Sequence, residues 1–324
     1  MVEPYGYDDT DDNATPMRRV GVLLVLLVLL LPFGCSGAEP LEEALDTSVR
    51  AKPRPEAVVV AAPGPDGPAE STTGVAASDA AEAGAGGSGP FGVGSRAQGG
   101  SGLDADTLLA VRHGVHEDYE RIVLDLGAGE EPAGEVPRWT LASRRGDGLL
   151  RVELPSANAT GVSDGRLGDG LLEGFHVVRA PDGGMFVDVL SREAFRYRVL
   201  ELTRPARLVV DFEAAGTSPE KPPPAAGGNT VLLEPRPGTR VSDPLTVSGY
   251  SRNFEAANTM ILEDSKGEVL ARKTVAANDW SSTWGYFEAT LDLPPFAGEG
   301  TLKVGTTSAR DGSFEGVEIP LEGS

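Results

Sequence analysis

From residue 106 onward the chain is a succession of short apolar runs that alternate with polar residues at a period of two. In Arg121 to Leu126, Ile122, Leu124 and Leu126 alternate with Val123 and Asp125, so one face of a strand is strongly apolar. An earlier strand is expected over Leu108 to Arg112, and WTLAS, LLRVELP, FHVVRA, MFVDVLS, FRYRVLEL and RLVVDFE follow in the same style. Between them lie Gly146-Asp147-Gly148, Asp164-Gly165 and Pro181-Asp182-Gly183-Gly184. Such turns join antiparallel strands because glycine accepts positive φ without a steric penalty. No stretch carries a convincing helical period. The pattern therefore predicts an all-β protein made of sandwiches or barrels.

Composition divides the chain. Residues 36 to about 104 are rich in Ala, Gly, Pro, Ser and Glu, and neither period survives there. That composition buries too little apolar surface to offset chain entropy, so a long disordered linker is expected. A coil of roughly 70 residues spans about 45 to 50 Å root-mean-square. A second spacer, GTSPEKPPPAAGGN, is stiffened by its prolines. The expected organisation is two small antiparallel β-sandwich domains, 106–216 and 230–324, joined by a Pro-rich linker at 217–229 and preceded by the linker that ends at 105.

The start of the chain has a different character. VGVLLVLLVLLL at 20–31 follows Arg18 and Arg19 and is followed by Pro32-Phe33-Gly34-Cys35. A charged start, a short apolar run and a small residue form a secretory signal. The run is shorter than the ~20 residues of a membrane span. Cys35 is the chain's one cysteine, so no disulfide forms within it. The Gly34-Cys35 junction resembles the lipobox of bacterial lipoproteins, although Pro32 stands where that family usually has leucine. The resemblance implies lipidation of Cys35, removal of residues 1–34, and an extracytoplasmic protein anchored to the outer face of the cytoplasmic membrane. Asp8, Asp9, Asp11 and Asp12 are unusual ahead of such a signal, and translation is expected to begin at Met17.

AFRYRVLELTRPARLVVDFE at 194–213, with DYERIVLDL and FHVVRAPDGGMFVDVLS before it, resembles AMIN-like domains of bacterial envelope proteins. That resemblance implies localisation or wall binding without hydrolysis. VLLEPRPGTRVSDPLTVSGYSRNFEAANTMILED, followed by GYFEATLDL and TLKVGTTSARDGSFEGVEIPL, resembles the immunoglobulin-like domain associated with spore-germination proteins, the Gmad2 type. It implies a sandwich of about seven strands.

The formal net charge of −21 argues against nucleic acid, whose phosphates such a field repels. His113 and His116 lie three apart, and on a strand or turn they point to opposite faces. With His176 they leave no ligand set, so neither metal nor cofactor is expected. No Gly-x-Ser-x-Gly elbow or phosphate-cradling glycine motif occurs, and no catalytic residue is assigned. Trp280, Trp284 and Tyr286 cluster beside Phe287. They are the candidate contacts for glycan or a partner, against a reading in which large aromatics simply pack. The expected function is a non-enzymatic envelope lipoprotein whose two sandwiches bind peptidoglycan or another envelope protein. The alternative is a structural or assembly factor in sporulation or germination, and a weaker one is a cell-wall hydrolase.

Overall fold

The computed structural model describes residues 72–73 and 90–324, apart from 309, with the backbone alone at 72–73 and 145. The signal and lipobox at 1–34, Cys35 and most of the 36–105 linker lie outside the described residues. All described residues belong to one compact unit. They form strands, with short 3-10 turns at Arg145–Asp147 and Phe254–Ala256, and the all-β expectation holds.

In chain order the first module has Arg96–Gly99 (β1), Thr107–Val115 (β2), Glu120–Ala128 (β3), Trp139–Arg144 (β4) and Leu149–Leu154 (β5). Leu172–Arg179 (β6), Met185–Ser191 (β7), Phe195–Leu202 (β8) and Arg207–Ala214 (β9) complete it. One sheet runs β8-β9-β3-β2 and the other β6-β7-β5-β4-β1, antiparallel throughout. Ile122, Leu124 and Leu126 of β3 point inward against Trp139, Phe175, Tyr197 and Phe212. Removing each such aliphatic side chain from water contributes roughly 1.5–3 kcal/mol. The Trp139 indole donates to Glu201 Oε1 at 2.7 Å, and Gly100 N donates to the same oxygen at 2.7 Å. The buried carboxylate thus ties both sheets together across one edge.

The module begins earlier than its hydrophobic pattern indicates. Gly92 bridges Tyr197 and β1 pairs with β4, although RAQG has no alternation to announce a strand.

The second module has Thr230–Glu234 (β10), Leu245–Ser251 (β11), Ala257–Asp264 (β12), Val269–Ala276 (β13), Trp284–Leu291 (β14), Gly298–Thr307 (β15) and Phe314–Gly323 (β16). Its sheets run β10-β11-β14 and β16-β15-β12-β13. Leu232, Val247, Phe287, Met260, Leu262, Leu302 and Ile319 form the core between them.

The two modules share a sheet. β14 pairs with β6 in parallel through Val178↔Trp284 and Arg179↔Gly285, so β10-β11-β14-β6-β7-β5-β4-β1 is continuous. The outer faces of its two halves also contribute to a third apolar core. Leu149, Val178, Phe186 and Leu190 come from the first module, and Val231, Leu233, Tyr250 and Trp284 from the second. This explains β7, whose seven residues are all buried. Met185, Val187 and Val189 face the first module's own core, while Phe186 and Leu190 face the seam.

The proline-bearing connector is tied down along its length. Ala194 N donates to Thr217 O at 2.9 Å, Lys221 N donates to Gly146 O at 2.7 Å, and Ala225–Gly227 pairs with β10.

Candidate functional site

The three sequence-predicted contacts are brought to different environments. Trp284 is only 3% exposed. Its ring meets His176 edge-on, with centroids 4.6 Å apart, and lies near-perpendicular to Tyr250. Its indole N–H reaches Asp164 Oδ1 at 3.3 Å. Trp284 is therefore spent inside the seam and offers no surface to a ligand, a correction to the sequence reading. Tyr286 is half-buried against the same seam, and its hydroxyl donates to Glu288 at 2.7 Å. Burial and the Glu288 carboxylate raise its pKa to about 12. Cys35, the predicted lipidation point, lies outside the described residues.

Trp280 is 39% exposed, and its exposed partner is a residue the sequence reading missed. Phe254 is 70% exposed and meets Trp280 edge-to-face, with centroids 5.3 Å apart and planes at 72°. Two loops hold this pair in place. In the first, Glu255 and Ala256 have φ of 55° and 59°, a left-handed conformation that costs roughly 1–2 kcal/mol per non-glycine residue. Buried Asn253 offsets the strain by donating to Thr230 Oγ1 at 3.0 Å and Asn258 Oδ1 at 2.8 Å. Asn258 in turn donates to Ala256 O at 2.9 Å. No apolar period could reveal Phe254; the signal lay in two polar asparagines flanking an apolar residue.

The second loop is organised by Asp279. Its Oδ1 accepts from the backbone N–H of Trp280, Ser281 and Ser282 at 2.6, 2.9 and 3.3 Å, and its Oδ2 from the Thr283 hydroxyl at 2.9 Å. Burial opposes ionisation, but these donors outweigh it and hold Asp279 below the ordinary carboxylate range. The Arg252 guanidinium links the loop to the first module, donating to Ser281 O at 3.2 Å and to Ser163 Oγ at 2.9 Å.

The histidines do not converge. His113 Nε2 lies 2.8 Å from Glu120 Oε2 in the first module's interior. His116 is exposed and stacks on Tyr119. His176 is half-buried at the seam, where burial lowers its pKa to about 4 despite the opposing charges of Asp164 and Asp188. Among the described residues, no group of three or more His, Cys, Asp or Glu is placed to hold a metal ion.

Seven main strands in two sheets packed face to face make the second module an immunoglobulin-like sandwich. Residues 229–313 match the Gmad2 family, described as the immunoglobulin-like domain of bacterial spore germination. Comparison with curated proteins and with solved structures gave no match.

Proposed function

We propose that this chain is a non-enzymatic envelope lipoprotein, anchored by acylated Cys35, that binds the glycan of peptidoglycan through Phe254 and Trp280. The observation that carries the reading is the exposed perpendicular pair of rings, held on a loop whose backbone strain places Phe254 in solvent. Exposed aromatics on a rigid edge suit binding, because they offer large contact area with little side-chain entropy to lose. The resemblance of the first module to AMIN-like domains supports a wall-facing role.

The test is a pull-down of the full chain, in detergent micelles, on purified sacculi. The wild type is retained, and a Phe254→Ala/Trp280→Ala double variant is released. A wild type that does not bind sacculi removes the glycan reading. Mass spectrometry of the native N-terminal peptide tests the anchor, and an unmodified Cys35 thiol would remove it.

A second reading, assembly or structural support in sporulation or germination, is favoured by the family match at 229–313. There the same aromatic pair would contact a protein. Deletion of the gene would then impair germination while leaving sacculus binding by the purified chain absent.

A further inference from the structure

The sheet β16-β15-β12-β13 ends on β13, and no described strand pairs with its outer edge. Val269–Ala276 runs for 8 residues, and Arg272, Lys273, Thr274 and Ala276 are all exposed. The register decides which backbone groups stay open. Ala277 N donates to Ala256 O at 2.9 Å, and the pairing continues from Ala257↔Ala276 to Leu262↔Ala271. In an antiparallel ladder, hydrogen-bonded pairs alternate with non-hydrogen-bonded ones. Val275, Lys273 and Ala271 therefore bond to β12, while the N–H and C=O of Arg272, Thr274 and Ala276 point away from it. Such a row of donors and acceptors is a template for an added strand.

Proteins blunt such edges with proline, a bulge or a covering loop. Val269–Ala276 contains no proline, and its register shifts only near the turn, between Leu262 and Glu263. It carries positive charge instead. Arg272 lies opposite Ile261, on the face away from the core residues Met260 and Leu262. Among the described residues it makes no hydrogen bond or ion pair, whereas Arg112, Arg121, Arg151 and Arg196 each hold a carboxylate. Lys273 donates to Thr290 O at 2.7 Å and holds no carboxylate. The acids of the same hairpin lie toward its turn. Glu263 pairs with Lys303 at 3.0 Å, Asp264 accepts from the Lys266 and Glu268 amides at 2.9 Å, and Glu268 precedes the strand.

We infer that β13 takes up an extended acidic segment of a partner protein as an added strand, its backbone bonded to Arg272, Thr274 and Ala276 and its carboxylates to Arg272 and Lys273. Two copies of this chain would bring those cations against each other, on bodies that each carry a net charge of −21, so charge opposes self-pairing. The same cations repel a basic strand and attract an acidic one. The edge uses neither Phe254 nor Trp280, and the inference does not depend on glycan binding.

Isothermal titration of the full chain in detergent micelles tests it with the capped peptide TEVEVET and its lysine counterpart TKVKVKT. The acidic peptide is expected to bind one-to-one with a Kd below about 1 mM, and the lysine peptide about tenfold more weakly or worse. The Arg272→Glu/Lys273→Glu double variant should reverse that preference. Thr274→Pro removes one outward N–H without touching the ladder to β12, and should weaken the acidic peptide about tenfold. The inference is overturned if TEVEVET does not bind at about 1 mM, if both peptides bind alike, or if the charge-reversed variant keeps the wild-type preference. Wild-type affinity in Thr274→Pro would place the peptide off the edge and overturn it as well. A wild-type dimer in sedimentation that Thr274→Pro dissociates would give the edge to a second copy, with the same consequence.

Discussion

The hydroxyl of Tyr250, from the second sandwich, lies 3.4 Å from Nδ1 of His176 in the first, with the two rings tilted at 50° and 5.2 Å apart. Tyr250 is removed from solvent between the halves of one sheet and His176 is half-buried beside it, with Trp284 packed against each. The seam is therefore built as a core is built, from interlocking aromatics, and the described residues form one compact unit.

That burial gives the protein an acid-sensitive stability. His176 has a pKa of about 4 when folded, below the ~6.5 of an exposed imidazole. As pH falls below about 6.5 the unfolded chain takes up a proton that the folded chain refuses, so stability drops by about 1.4 kcal/mol per pH unit until the folded group titrates near 4. The full loss is at most about 3 kcal/mol, because the half-buried ring keeps some contact with water. Urea melts between pH 7 and pH 4 should show this slope in the wild type, and His176→Phe should flatten it. A variant with an unchanged slope would assign the acid sensitivity to other groups.

Trp284→Ala should weaken the union of the modules more than either sandwich. Emptying the space of a buried tryptophan costs about 3–5 kcal/mol, and here the space lies in the third core and at the parallel β6–β14 pairing. Limited proteolysis should then cut the 217–229 connector, where the wild type resists because Lys221 N and the Ala225–Gly227 strand hold it. If the alanine variant melts as cooperatively as the wild type and its connector stays uncut, Trp284 is not a keystone of the seam.

What the sequence revealed and concealed follows from which contacts are local. The alternation of Ile122, Leu124 and Leu126 identifies β3, because one face of that strand meets one core. The second module's strand order was readable for the same reason, and its turn at Lys266-Gly267 sits where Gly267 takes φ of 81°. β7 misleads: MFVDVLS reads as a strand with one wet face, but its outward residues Phe186 and Leu190 are covered by another module. Trp284 misleads likewise, since nothing near it in sequence announces that a strand from the first module will pair beside it. Phe254 was concealed because its exposure comes from two positive φ angles and an asparagine lock, not from a period.

Inside the seam, Arg151 grips Asp188 through both Nε and Nη2, at 2.7 and 2.8 Å, with the Asp188 carboxylate fully buried. The guanidinium carbon lies 3.7 Å from the centre of the Phe186 ring. Asp188→Ala leaves a guanidinium only 22% exposed without its partner and should cost up to about 3 kcal/mol. Replacing both, as Arg151→Met/Asp188→Leu, removes the unpaired charge and should cost less than Asp188→Ala alone. Chemical denaturation of the three proteins decides it, and a double variant less stable than Asp188→Ala would show that the pair contributes more than the avoidance of a lone charge.

The final prediction separates the strain of the aromatic loop from its binding role. Asn253→Ala removes donors to Thr230 and Asn258 and leaves both acceptors in a buried setting, at a cost of about 1–3 kcal/mol. With the lock gone, Glu255 and Ala256 can leave their left-handed conformation, and Phe254 loses its fixed position against Trp280. Tryptophan fluorescence should shift, and sacculus retention should fall although neither ring has been altered. Glu255→Gly should act the other way on the backbone: a positive φ costs glycine nothing, so the loop geometry and the retention persist. If Asn253→Ala binds as the wild type does, the rings act without the loop's preorganisation, and the strain at Glu255 and Ala256 belongs to folding alone.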